Sequence, residues 1–195
     1  NFAWTSDDIF KLKNIPKSLL IVGGGYIACE FANIFNNFGV NVTQLVRRDN
    51  LLNGFDSDLS LALKESMISS GINLIFNDEL VSINKQGSSN YDLSLKSGLE
   101  LSKESILMAT GREPNIDFLD IESIGIKKER GFIVVNQFNQ TNKFNIFAIG
   151  DVIDKPNLTP VAIEQGRIFS DNYFGKLNRE INYNYIPKAV FTTPE

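Results

Sequence analysis

Histidine is absent from all 195 residues, and cysteine occurs once, as Cys29. Without histidine the chain lacks the side chain that titrates near neutral pH and most often ligates zinc, so most routes to acid–base or metal chemistry are closed. A single cysteine rules out an internal disulfide framework and makes a reducing cytoplasm the default compartment. Long apolar runs are missing too: Leu19-Leu20-Ile21-Val22 stops far short of the roughly 20 residues that span a bilayer, so no membrane segment is expected. The opening Asn1-Phe2-Ala3-Trp4-Thr5 has neither an initiator Met nor the basic-then-apolar layout of a signal peptide, and reads as the middle of something longer. Basic residues form no long run and the formal net charge is -4, which argues against a nucleic-acid footprint or an anionic membrane surface. Small molecules or protein are the expected partners. What is present is 43% hydrophobic and 22% charged, the balance of a globular chain long enough for one large domain or two small ones.

Periodicity organises that chain. Thr5 to Asp8 reads as a helix cap followed by one short turn ahead of Pro16. From Ser18, the run Leu19 to Val22 predicts a strand buried on both faces, and Gly23-Gly24-Gly25 ends it. Ile27, Phe31, Ile34, Phe35 and Phe38 recur at helical spacing up to Gly39, and a strand is expected at Val42–Val46. A second helix is expected over Asp58–Ser70, with Leu59, Leu63 and Met67 on one face, then a strand at Ile72–Phe76. Three alternating runs, 80–84, 91–96 and 99–101, predict an antiparallel meander with a turn at Gly87-Ser88-Ser89-Asn90, and 105–109 another strand. Beyond Gly111 come expected strands at 132–135 and 146–149 and a helix from Pro160 to about Phe174.

The pattern Gly23-x-Gly25-x-x-Ala28, extended by Ala32 and Gly39, stands where a buried strand turns into a helix with a second strand close behind. That is the context a dinucleotide-binding fingerprint requires. Gly23 permits the tight turn, Gly25 lets a pyrophosphate approach the backbone, and the free N–H groups of the helix start favour that anion. Ala28 and Ala32 let the helix lie close on the sheet. NAD-binding folds of this kind usually end the second strand with an acid, whereas here Val46 is followed by Arg47 and Arg48, the residue type that meets a 2'-phosphate. NADPH is therefore expected over NADH. Cys29, among apolar residues on the fingerprint helix, reads as a packed thiol rather than a redox centre.

The stretch Ile21 to Phe31, Gly54-Phe55-Asp56, Ala109-Thr110-Gly111-Arg112-x-Pro114-Asn115, Phe147 to Asp151 and Leu158 to Ala162, in that order, resembles the pyridine nucleotide-disulfide oxidoreductases. The Leu158 to Ala162 run points to their glutathione and trypanothione reductase branch. The resemblance implies a Rossmann-like α/β domain at 1–113 with an antiparallel three-stranded flap, a returning segment of an FAD-binding domain at 114–184, and the start of an interface domain at 185–195. It implies that Tyr26 covers the nicotinamide pocket, that Ile27 lines it, and that Glu30 pairs with a Lys outside this sequence. Arg47 and Arg48 would hold the 2'-phosphate, Asp151 the flavin ribityl chain and Thr159 the isoalloxazine edge, with Gly111 and Arg112 also among the cofactor-binding residues. Members that use NADPH often carry a further Arg where Asn53 stands here. The redox cysteine pair and the His-Glu acid–base pair of such enzymes have no counterpart in these residues, so no catalytic and no metal-binding residue is expected. The whole protein is expected to be a cytoplasmic homodimer reducing oxidised glutathione. Alternatives are a dihydrolipoamide dehydrogenase, mercuric or trypanothione reductase relative, and a non-catalytic nucleotide-sensing module.

Overall fold

Leu19, Leu20 and Ile21 are wholly shielded from solvent, and the strand that carries them, β1 (Ser18–Val22), lies inside a parallel sheet. The computed structural model describes residues 2–87 and 90–193. The chain divides into two compact units, one of Asn1–Gly111 with Ala189–Glu195 and one of Arg112–Lys188. In the first, β2 (Asn41–Val46), β3 (Asn73–Phe76) and β7 (Ser105–Met108) join β1 in the order β3-β2-β1-β7. Helix α2 (Tyr26–Asn37) links β1 to β2, and α3 (Ser57–Ser69) links β2 to β3. These are two crossover units of a Rossmann-like fold.

Both faces of β1 are covered, which is why its apolar run does not alternate. Leu19 and Ile21 belong to a core with Ala28, Cys29, Ala32 and Phe35 of α2 and Leu63 and Met67 of α3. Leu20 and Val22 face the other way, toward Leu93 and Leu95 of the antiparallel sheet β4 (Leu80–Gln86), β5 (Asn90–Leu95) and β6 (Glu100–Lys103). The anticipated flap is therefore present; of its turn at Gly87–Asn90, Ser88 and Ser89 lie outside the described residues. Ahead of the sheet, the short helix α1 (Ser6–Ile9) is capped by Thr5 and Asp8, whose carboxylate accepts from the Thr5 N–H at 2.8 Å. Trp4 adds a single rung beyond β7, its N–H donating to the Ile106 carbonyl at 2.8 Å.

Two helix faces differ from the periodicity. On α2 the buried side is Ala28, Cys29, Ala32, Asn33 and Phe35, while Ile34 and Phe38 of the expected stripe are exposed. Small residues win that face because only they let the helix axis approach the sheet. On α3, Leu63 and Met67 are buried but Leu59, one turn earlier, is exposed.

The second unit has a smaller core of Ile116, Ile121, Ile126, Ile133, Ala148 and Ile153. Its hairpin pairs β8 (Lys128–Glu129) with β9 (Phe132–Ile133), shorter than the strand expected at 132–135. The expected strand at 146–149 does not form a ladder among the described residues. Phe147 makes one isolated bridge with Gln140, and the Ala148 N–H turns to the Asn139 carbonyl at 2.9 Å, a local loop bond. Strand propensity cannot act without a partner edge. Helix α4 (Thr159–Tyr173) has Pro160 in its first turn, as expected.

Candidate functional site

Each of the three consecutive glycines Gly23, Gly24 and Gly25 is glycine for a different reason. Gly23 has φ +143°, and a Cβ there would lie 2.2 Å from the Ala109 carbonyl oxygen of the neighbouring chain segment. Its N–H donates to the Leu45 carbonyl at 2.9 Å, and its own carbonyl accepts from Gln44 Nε2 at 2.9 Å. At Gly24 a Cβ would meet Val46 Cγ1 at 2.7 Å, so the loop lies tight against the tip of β2. The Gly24 carbonyl accepts from the Leu52 N–H at 2.7 Å, and Leu52, though buried, takes the left-handed φ of +51° that large residues rarely adopt. Gly25 is otherwise: φ is -84°, open to any residue, and apart from Gly25 itself and its two chain neighbours no protein atom lies within 4 Å of where a Cβ would stand.

Gly25 is also the N-cap of α2. No side chain caps this helix, and no acid stands in its first turn. The first helical bond runs from the Cys29 N–H to the Gly25 carbonyl at 3.1 Å, leaving the amides of Gly25, Tyr26, Ile27 and Ala28 without a helical acceptor. Four N–H groups at the positive end of a helix dipole favour an anion.

Arg47 and Arg48 follow β2 directly, both exposed, and neither forms an ion pair with an acid among the described residues. Because Val22 pairs with Leu45 in parallel, the tip of β2 and the glycine loop lie at the same end of the sheet. Tyr26 is 40% exposed, so it is no core aromatic; Ile27 is half-buried and Ala28 fully buried. Glu30, half-buried, accepts the Phe191 N–H at 3.0 Å, a pairing the sequence did not announce. Cys29 is buried, and burial pushes its thiol up to about 11. It is packing, not a nucleophile.

In the second unit Asp151 sits exposed in the turn Gly150–Val152, with Arg112 Nη2 3.2 Å from its Oδ2. Wholly buried Gln165 accepts the Gly150 N–H at 2.7 Å and donates to the Tyr183 hydroxyl at 3.0 Å, which pins the turn holding Asp151. Thr159 is exposed at the head of α4. Gly111, with φ +153°, closes the first unit. Gln44, Leu52 and Gln165 were missed from sequence. A polar residue inside the apolar run Val42–Val46 was the available signal for Gln44. Among the described residues no cluster of His, Cys, Asp or Glu could hold a metal ion, and no helix is long and apolar enough to cross a membrane.

The sequence profile described as pyridine nucleotide-disulphide oxidoreductase matches residues 1–166. The chain belongs to the pyridine nucleotide-disulphide oxidoreductase family. This is a family of flavoproteins that use FAD and NAD(P)H. Glutathione reductase of Nostoc sp. (strain PCC 7120) is 39% identical over all of this chain and 45% of the relative. Trypanothione reductase of Trypanosoma congolense is 36% identical over 97% of the chain and 39% of the relative. Among solved structures, the HOCl-induced flavoprotein disulfide reductase RclA from Escherichia coli superposes with a TM-score of 0.92 at 31% identity, covering 99% of this chain and 44% of that one. The chain thus spans less than half the length of these relatives.

Proposed function

We propose that residues 1–113 form the NADPH-binding domain of an FAD-dependent glutathione-disulfide reductase, and that residues 114–184 return to its FAD-binding domain while 185–195 open its interface domain. One observation carries the reading: Gly25 lacks a side chain for no reason internal to the fold, at the uncapped head of a helix and at the end of the sheet that bears Arg47 and Arg48. The space and the uncommitted amides fit a diphosphate, and the two guanidiniums fit an additional phosphate on the adenosine ribose.

In this reading Gly23, Gly25, Ala28 and the α2 amides hold the diphosphate, Arg47 and Arg48 select NADPH, and Tyr26, Ile27 and Glu30 border the nicotinamide. Arg112, Asp151 and Thr159 serve the flavin, with the Arg112–Asp151 pair orienting the aspartate, and Gly111 is a further cofactor-binding residue. When bound, NADPH would supply a hydride and FAD a carrier for its two electrons on the way to a disulfide. The chain contains one Cys and no His, so the redox dithiol and the acid–base pair must come from residues other than these 195. Oxidised glutathione is the proposed substrate of the whole enzyme, a homodimer in the cytoplasm; comparing it with lipoamide on the full-length protein separates this from a dihydrolipoamide dehydrogenase.

The test of nucleotide choice is a titration with NADPH and NADH before and after Arg47→Glu. A guanidinium–phosphate bond is worth about 1.5–3 kcal/mol gross and less in solvent. NADPH is expected to bind at least tenfold more tightly than NADH in the natural chain and to lose that margin in the variant. Equal affinities in the natural chain would remove the NADPH assignment.

A further inference from the structure

Gln44 has no solvent exposure, yet it stands in the middle of β2 among Val42, Leu45 and Val46. Its carboxamide is not balanced: Nε2 donates to the Gly23 carbonyl at 2.9 Å and lies 3.7 Å from Cys29 Sγ, while Oε1 has no hydrogen-bond partner. A buried polar atom left unpaired opposes folding, and an aliphatic residue would fill the same volume without that cost. The interaction that Gln44 does make falls on the first glycine of the fingerprint.

A trans peptide is planar, with its C=O and N–H pointing in opposite directions. Holding the Gly23 carbonyl toward the Gln44 side chain of β2 therefore fixes the Gly24 N–H on the opposite side of that peptide, away from β2. The next peptide is fixed in the same way, since the Gly24 carbonyl is held by the Leu52 N–H and the Gly25 N–H must face the other side. Glycine linkages without such ties rotate freely, because glycine populates both signs of φ with similar ease.

We infer that Gln44 is a positioning residue for nucleotide binding: by gripping the Gly23 carbonyl it presets the Gly24 N–H, together with that of Gly25, to receive the diphosphate. This rests on the NADPH reading above. Preorganisation lowers the ordering cost at the moment of binding, so its loss appears as weaker affinity for ligands that carry the diphosphate.

The decisive comparison uses the 195-residue chain and two probes, NADPH and adenosine 2'-monophosphate; the second carries the ribose phosphate but no diphosphate. Gln44→Met keeps length and volume and removes the donor. It is expected to weaken NADPH about tenfold while leaving adenosine 2'-monophosphate within twofold, with the near-ultraviolet circular dichroism of the natural chain. Unchanged NADPH affinity in the variant, or equal losses for both probes, overturns the inference while leaving the NADPH reading intact. Failure of the natural chain to bind NADPH overturns both. Should the variant not fold, nuclear magnetic resonance of the natural chain decides: the Gly24 amide is expected to shift on NADPH addition and to stay fixed with adenosine 2'-monophosphate, and a Gly24 amide indifferent to NADPH sinks the proposal.

Discussion

Gly25→Ala separates a glycine kept for a ligand from one kept for the fold. The backbone at Gly25, φ -84° and ψ 178°, is open to alanine, and the new methyl would meet no protein atom beyond its own residue and its two chain neighbours within 4 Å. Removing glycine's freedom in the unfolded chain stabilises by about 0.4–1 kcal/mol. Alanine is the poorer N-cap, which costs about as much. Folding stability should therefore stay within about 1 kcal/mol, a melting shift of no more than about 4 °C. The nucleotide is affected quite differently. A methyl over the amides that the diphosphate must reach removes one or two charge-assisted hydrogen bonds of about 1.5–3 kcal/mol each, so Kd for NADPH should rise by at least about tenfold. Thermal melting and calorimetric titration on the same preparation read both quantities. An alanine variant that binds NADPH within twofold of the natural chain would refute the claim that this space is reserved for the nucleotide. One that unfolds would refute the claim that the space is free.

Gly23→Ala should behave in the opposite way: the methyl is driven 2.2 Å from the Ala109 carbonyl at φ +143°, and denaturant melts should show a loss of roughly 3–5 kcal/mol or no folded chain at all. Cys29 should resist a soluble thiol reagent at pH 8 in the native chain and react at once in denaturant. Its folded-state value of about 11 exceeds the ordinary 9.0, so the folded chain holds this proton over a range where the unfolded chain has released it. The associated stability is fully present below pH 9 and drains away as pH rises toward 11, by roughly 3 kcal/mol at most. Denaturant midpoints across that window, for the natural chain and for Cys29→Ala, check the sign, since only the natural chain should carry this part of the decline.

Much of the first unit was legible because its signals are local. Leu19–Val22 closed by three glycines names a buried strand and its turn without help from the rest of the chain, and the flap followed from alternation. The α2 stripe misled because periodicity counts large apolar residues, whereas the helix packs on Ala28 and Ala32, whose value lies in being small. The roles of Gln44 and Gln165 escaped for another reason: a polar residue in an apolar run marks Gln44 as unusual, but what a glutamine does depends on which carbonyl or amide lies opposite, Gly23 for one and Gly150 for the other. At Phe147 the composition of a strand was read correctly, but a ladder needs an edge that these residues do not provide.

The bond between Glu30 and the Phe191 amide joins positions 161 apart, and Thr193 adds two more ties, from Ser66 and Asn37. At a synthesis rate of about 5–20 residues per second, the carboxylate leaves the ribosome roughly 8–32 s before the amide that answers it. The sheet and its helices can assemble during that interval, because their strands and crossovers are all in hand by Met108. What arrives last is the strap across α2 and α3, so in the order of translation the contacts at Glu30, Asn37 and Ser66 are completed only after the sheet they flank.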